Sequence, residues 1–233
     1  MFLVSSIESG NEYDMSSFFR MVRSRRGAFI CLEGCDRAGK STQSKLLVDY
    51  LRSLGGSVEQ MRFPDRSTAI GKCIDSYLTN KTDLDDHAIH LLFSANRWEA
   101  VPTIKNLLNN GTTIVTDRYA YSGVAFTAAK EGFTLEWCKN PDRGLPSPDL
   151  VVYLDVSSIK TSERSDYGKE RYENSDFQKK VSERYLELKA SDWKVIDASQ
   201  SIEEIHEDIK QAVLKVQERV TDKCEPIHQL WVD

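Results

Sequence analysis

The chain of 233 residues has no apolar run near the roughly 20 residues that a membrane-spanning helix requires. It also has no C-x-x-C pair. Its five cysteines, Cys31, Cys35, Cys73, Cys138 and Cys224, are odd in number and scattered, so the expectation is reduced thiols in a reducing compartment. With 12 glycines and 6 prolines, collagen-like and low-complexity readings fall away. Positive charge is not in excess: 31 Lys+Arg against 36 Asp+Glu leaves a net charge of -5, where a general nucleic-acid binder is normally basic. Neither nucleic acid nor membrane is therefore expected as a partner. Internal repeats and Pro/Gly/Ser-rich linkers are absent. Met1 to Ser6 is too short an apolar stretch for a secretory signal, and Glu8, Glu12 and Asp14 argue against an acid-poor transit peptide. The cluster Arg20, Arg23, Arg25, Arg26 keeps that option open, and Met15 and Met21 are internal start candidates. A cytoplasmic location is expected, with nuclear or mitochondrial pools left open.

What is present is the composition of a globular protein, 40% hydrophobic and 29% charged, long enough to bury a core without staples. Residues 1–26 lack periodicity and read as a loosely held extension; residues 27–233 read as one domain. Short apolar runs at Ala28–Leu32, Val58–Phe63, Thr112–Thr116, Leu150–Asp155 and around Val195-Ile196 read as strands. Helical spacing marks Ser41–Leu54, Ile70–Leu78 and Ile202–Val220. A long helix starts from a capping-box-like Thr82 with Asp85 and runs toward Asn110, with Pro102 as a kink or restart. Strands alternating with helices imply βαβ units: an α/β fold with a five-stranded parallel sheet and helices on both faces. Ligands then belong at the carboxyl ends of the strands.

At the first such end, Gly34-Cys35-Asp36-Arg37-Ala38-Gly39-Lys40-Ser41 matches G-x-x-x-x-G-K-[ST] in full, with a strand before and a helix after. The glycines permit a turn whose N–H groups face phosphate oxygens, and the helix N-terminus adds partial positive charge. Lys40 is placed for the β- and γ-phosphates and Ser41 for Mg²⁺. Asp36, inside an anion-binding loop, is read as turned outward to a second substrate, or else as a helix N-terminal acid. Arg37 is placed to stabilise transferring phosphoryl charge in cis.

Other ends carry weaker signals. Pro64 restricts Phe63 to extended geometry, which leaves Arg66 free to grip a monophosphate or simply to sit on a surface turn. Phe93 and Arg97, four apart on one helix, suit a pyrimidine, though a Phe in an apolar stretch is usually core; Trp98 is taken as core. Asp117-Arg118-Tyr119 closes the third strand, where Asp117 is placed for Mg²⁺ and Arg118 for phosphates, or the two form a surface ion pair. Asp155, ending another apolar strand, is the alternative metal carboxylate. Ser122-Gly123 begins the next helix, with Phe126 beyond. The polar stretch from about 157 to 172 reads as a lid closing over phosphates or as a solvated helix face.

The segments LEGCDRAGKSTQ, RFPDRST, HLLFSANRWE, TDRYAYSGVAFTAAK, GLPSPDLVVYLDV and ERYEN together resemble the thymidylate kinase family from about Arg25 to about Trp231. An arginine within the phosphate loop resembles the eukaryotic type. The resemblance implies the P-loop nucleoside-monophosphate-kinase fold and phosphoryl transfer from ATP to dTMP, with Mg²⁺ and a homodimer. It assigns Arg37, Lys40, Asp117 and Arg118 to catalysis, and Arg37, Ala38, Gly39, Lys40, Ser41, Thr42, Arg164 and Gln200 to ATP. To dTMP it assigns Asp36, Phe63, Arg66, Phe93, Arg97, Arg118, Ser122, Gly123, Phe126 and Tyr172, with Ser41 and Asp117 on the metal.

Three rival readings have definite tests. Asn80-Lys81-Thr82-Asp83 spells the N-K-x-D of guanine readers, but helical spacing precedes it where a buried strand is required, and no D-x-x-G lies outside the loop. Kinases of other nucleotides and a non-catalytic nucleotide-binding module are the others. Arg66 favours a monophosphate acceptor, and Lys40, Arg37, Asp117 and Arg118 together oppose loss of catalysis.

Overall fold

A computed structural model of the chain describes residues 26–156, 170–223 and 225–232. The expected extension, apart from Arg26, and the expected lid residues 157–169, with Arg164, lie outside the described residues.

Five strands, β1 (Phe29–Glu33), β2 (Val58–Arg62), β3 (Thr113–Asp117), β4 (Leu150–Asp155) and β5 (Lys194–Asp197), form one sheet in the order β2-β3-β1-β4-β5. Every pairing is parallel. The helices described are α1 (Lys40–Ser53), α2 (Ala69–Leu78), α3 (Asp86–Asn109), α4 (Ala120–Ala128), α5 (Leu135–Lys139), α6 (Ser175–Leu188) and α7 (Ile202–Lys223). Alternation along β1 sorts the core into two layers. Phe29 and Cys31 face α3, α4 and α6 through Ile104, Leu108, Ala125 and Tyr185. Ile30 and Leu32 face α1 and α7 through Leu47, Leu51, Ile209 and Val213. All five residues of β1 and of β3 are buried, as strands covered on both faces require, whereas β2 and β5 at the edges expose part of theirs.

Four features differ from the sequence expectations. Asp85 alone caps α3, accepting from His87 N and Ala88 N, while Thr82 N bonds back to Ser76 O in the close of α2. Pro102 lies inside α3, which runs as one helix from Asp86 to Asn109, so of the two expectations there the restart is excluded. Trp98 is 39% exposed and donates its indole N–H to Pro141 O, since α3 turns that side away from the sheet. Arg26 belongs to the folded body: its guanidinium makes a bidentate pair with Asp149 at 2.6 and 2.7 Å, and Asp149 also accepts from Phe29 N.

Candidate active site

The carboxyl ends of β1, β2 and β3 meet in one cleft. Between β1 and α1, Gly34 approaches the Leu154 carbonyl so closely that a Cβ would stand 2.6 Å from it, at a φ of +143°. Arg37 adopts a left-handed backbone at φ 63°. Gly39 caps α1 without any side chain, so the N–H groups of the first turn stay open for anions. Lys40 is buried and donates to Cys35 O at 2.6 Å; burial, then the Arg118 guanidinium, pulls its ammonium down to about 8. Ser41 Oγ donates to Asp117 Oδ2 at 2.5 Å, so the loop and the end of β3 touch through the two expected metal residues. Asp155 is exposed at the end of β4, and the N-K-x-D stretch lies at the turn after α2, where Asp83 pairs with Arg171. Gln200 is exposed in the turn after β5, and Thr42 is exposed on α1.

Arg118 joins this loop to a second compartment. It too sits in the left-handed region, at φ 70°. Its Nη1 donates to Gly34 O and Ser122 Oγ, both at 3.0 Å, its Nη2 to Asp36 Oδ1 at 2.5 Å, and the guanidinium lies 5.1 Å from the centre of the Phe126 ring. Burial works against its charge, but Asp36 foremost among its acidic neighbours more than offsets that and leaves its pKa raised. Asp36 is not simply turned outward. Its second oxygen accepts from Gln178 of α6 at 2.7 Å, and its N–H donates to the same amide.

The second compartment is a cavity of about 90 Å³ lined by Asp36, Phe63, Arg66, Phe93, Arg97, Arg118, Ser122, Gly123, Phe126, Thr127, Glu170 and Tyr172, among others. All ten residues expected around the acceptor therefore converge on it. A larger groove of about 590 Å³ runs behind the Arg62–Arg66 turn, but no phosphate-loop residue lines it. Arg97 is 2% exposed and makes a bidentate pair with buried Asp142, at 3.1 and 2.6 Å. Gly123 lets it approach α4, since a Cβ there would stand 2.7 Å from Arg97 Nη2. Arg66 holds Asp75 at 2.8 Å and Glu170 at 2.8 and 3.1 Å; burial lowers its pKa, and these two carboxylates more than restore it. Arg37 pairs with Glu173 at 2.9 Å. Tyr172 stacks on Phe177 and lies 5.5 Å, centre to centre, from Phe126.

Sequence reasoning missed Glu33, the last residue of β1, which has no exposed surface. Helix α4 lacks a cap of its own, and Glu33 Oε1 takes that place by accepting from Tyr119 N at 2.9 Å and Ser122 N at 3.2 Å. Its Oε2 accepts from Ser122 Oγ at 2.5 Å and Tyr185 OH at 2.8 Å. Ser122 Oγ is thereby left with lone pairs for Arg118. Helix α6, also missed, supplies Gln178 and Tyr185. Its signal was in the sequence: Asn174 as cap, then Phe177, Val181 and Tyr185 at four-residue spacing.

A phosphate loop joined by one half-buried arginine to an arginine- and aromatic-lined cavity is the arrangement of a two-substrate phosphoryl transferase. The family model "Thymidylate kinase" matches residues 32–209. The chain is 53% identical to thymidylate kinase of Danio rerio over 212 residues, 89% of this chain and 98% of that one. To thymidylate kinase of Homo sapiens it is 53% identical over 213 residues, 90% of this chain and 100% of that one. A solved structure of thymidylate kinase from Candida albicans superposes with a TM-score of 0.77 at 39% identity, over 83% of this chain and 94% of that one. The chain belongs to the thymidylate kinase family.

Proposed function

We propose a division of labour among these residues for the reaction that family membership gives the chain, ATP + dTMP giving ADP + dTDP, a step of dTTP synthesis. The observation that carries the assignment is Arg118, which bonds the phosphate loop through Gly34 O and faces the acceptor cavity through Asp36, Ser122 and Phe126. ATP phosphates lie on the open N–H groups of Gly39 to Thr42, with Ala38 in the turn beside them and Lys40 on their outer oxygens. Gln200 flanks the adenine; Arg164, which the resemblance assigns to ATP, lies outside the described residues. In the acceptor cavity Arg66 takes the dTMP phosphate, Phe93 stacks on the base and Arg97 donates to its O4. Phe63, Gly123, Asp36 and Ser122 shape the remainder, while Phe126 and Tyr172 crowd the 2′ position of the sugar.

Catalysis is positioning plus charge stabilisation, because the in-line transfer of a phosphoryl group offers a protein little covalent work. Arg37, Lys40 and Arg118 supply the positive charge for the transferring group. Mg²⁺ fits the residues present: Ser41 Oγ and Asp117 are hard oxygen donors 2.5 Å apart at the loop. Among the described residues no cluster of three acidic, His or Cys ligands occurs, in keeping with an ion held by one carboxylate, substrate oxygens and water. When bound, the ion would neutralise phosphate charge.

A homodimer is part of the proposal. Leu91 and Trp98, seven apart on one face of α3, are 49% and 39% exposed and offer an apolar stripe to a second copy. So is a cytoplasmic location, supported by free thiols at Cys31, Cys35, Cys73 and Cys138. No described helix is long and apolar enough to cross a membrane.

The test is a panel of nucleoside monophosphates with Mg-ATP, reading ADP release. The expected order of kcat/KM is dTMP, then dUMP, then UMP and dCMP far behind. Equal turnover of dTMP and dCMP would overturn the base-reading role of Arg97; efficient UMP phosphorylation would overturn the sugar assignment. Loss of turnover with EDTA, restored by Mg²⁺, checks the metal.

A further inference from the structure

The N-K-x-D stretch, to which the phosphoryl-transfer reading gives no task, closes α2. A helix end leaves its last carbonyls without intrahelical donors. Asn80 takes the left-handed conformation, at φ 57°, and lets Lys81 N and Thr82 N return to Ser76 O at 2.9 and 3.2 Å. The Tyr77 and Leu78 carbonyls are met from far along the chain by Arg171. Its N–H donates to Leu78 O at 3.0 Å and its Nε to Tyr77 O at 3.1 Å. Its Nη2 reaches on to Thr82 O at 3.3 Å and Asp83 Oδ1 at 2.5 Å, and its guanidinium lies over the Tyr77 ring, 4.1 Å from the centre. One planar fork thus serves the turn with its donors and the ring with its face. Tyr77 is 3% exposed and sits in a buried cluster with Ile74, Leu78 and Ile89, against which Phe93 and Tyr172 pack. The Tyr172 hydroxyl donates to the Tyr77 oxygen at 3.3 Å. Tyr172 follows Arg171 directly in the chain and borders the acceptor cavity, which Arg171 does not line.

We propose that Arg171 is a positioning residue for the sugar end of the acceptor cavity: by capping α2 it fixes the chain immediately before Tyr172 and so holds that ring where it crowds the 2′ position. This rests on the acceptor-cavity reading given above. The bonds to the Tyr77 and Thr82 carbonyls carry the role. The bond to Asp83 does not, because that side chain is 87% exposed and an exposed ion pair contributes little. The N-K-x-D residues are in this way a landing site for the chain at Arg171, and their likeness to a guanine reader is a coincidence of a helix ending.

The test compares two acceptors that differ only by the 2′-hydroxyl, dTMP and ribothymidine 5′-monophosphate, at saturating Mg-ATP on the full chain, with urea unfolding as the folding control. Both carry the same base and phosphate, so any change in the Arg66–Glu170 pair cancels from the ratio of their kcat/KM values, and the ratio reports the 2′ position. Arg171→Ala is expected to narrow that ratio about fivefold while KM for ATP stays within about twofold. Arg171→Lys keeps the charge and the stem, but one ammonium cannot serve both carbonyls and cover the ring, so it is expected to narrow the ratio about twofold. Asp83→Ala is expected to leave the ratio at the parent's value. In a Tyr172→Ala background, Arg171→Ala is expected to change the ratio no further, whereas a general loosening of the fold would act in both backgrounds. The parent's ratio in a folded Arg171→Ala, or in Arg171→Lys should the alanine variant not fold, would overturn the proposal, as would an Arg171→Ala effect that persists without Tyr172 or an Asp83→Ala effect as large as that of Arg171→Ala. Failure of the cavity reading looks different: Tyr172→Ala alone would then leave the ratio where it was.

Discussion

Glu33→Gln is a one-atom change, and the structure says what it does. The carboxylate accepts two N–H groups on one oxygen and two hydroxyls on the other, at 2.5 to 3.2 Å. The amide keeps an oxygen for Tyr119 N and Ser122 N but sets an NH₂ against Ser122 Oγ and Tyr185 OH. Those hydroxyls can turn to accept, but Ser122 Oγ must then serve the amide with lone pairs it uses for Arg118 Nη1. All four bonds also lose their charge assistance. At about 1.5–3 kcal/mol for a bond to a charged group against about 1 for a neutral one, four bonds lose about 2–8 kcal/mol, and relief of the desolvation of a buried carboxylate offsets the upper part of that, leaving a net cost of about 2–4 kcal/mol. With a slope of about 2 kcal/mol per molar urea, the unfolding midpoint should fall by about 1–2 M. The α4 start would loosen, and with it the left-handed turn at Arg118, so kcat should drop at least about tenfold while KM for ATP stays within about twofold. Equilibrium urea unfolding followed by tryptophan fluorescence and steady-state kinetics measure the two effects. A variant with the parent's midpoint and the parent's kcat would refute the view that Glu33 holds the active arginine in place.

Three further outcomes are expected. Arg37→Ala should leave KM for ATP nearly intact and lower kcat by on the order of 10³–10⁵, the contribution of an arginine that offsets transition-state charge; an unchanged kcat would remove it from catalysis. Arg66→Ala should raise KM for dTMP far more than it lowers kcat, because the charge it meets already exists in the ground state; a rise in KM for ATP alone would reverse the donor and acceptor assignments. His90, at about 4 in the folded chain against an ordinary 6.5, stays neutral where the unfolded chain binds a proton, so its contribution is complete above pH 6.5 and is lost as pH falls toward 4. His90→Gln should flatten the fall of the urea midpoint across that window by up to about one proton's slope, and identical slopes in the two proteins would contradict a neutral buried imidazole.

The sheet and the phosphate loop were legible because their signals are local. Ala28 to Leu32 is continuously apolar and the loop follows at once, so strand, glycine turn and helix declare one another. The acceptor arginines were legible as residues but not as a cavity. Arg97 and Asp142 are 45 positions apart, Arg66 and Glu170 are 104, and Asp36 and Gln178 are 142, separations that no spacing rule reads. Glu33 was hidden for the same reason: a lone acid at a strand end looks like a solvated turn until the start of α4 folds over it. Helix α6 has a stripe only one residue wide per turn on a strongly charged segment, which weakens its periodicity against the noise. The start of α3 was misassigned by three residues because Thr82 and Asp85 satisfy the same pattern, and only the packing of the α2 end decides between them.

Each arginine at the cleft already carries an acidic companion: Arg37 with Glu173, Arg66 with Asp75 and Glu170, Arg97 with Asp142, Arg118 with Asp36. The cleft is therefore a poor trap for stray anions. Orthophosphate or a metabolite carboxylate arriving at Arg66 meets a guanidinium that is already neutralised on two sides, and gains little by displacing one oxyanion with another. A ligand must supply several things together: a dianion to turn Glu170 out, and a ring and sugar to fill the space beyond. Glu170 is two residues from Tyr172, and both line the same cavity, so the carboxylate that a dianion would displace and the ring at the other end share one short stretch of backbone. On the proposed assignment, a ligand that fills only one end of the cavity leaves the ion pairs at the other end intact and gains correspondingly less.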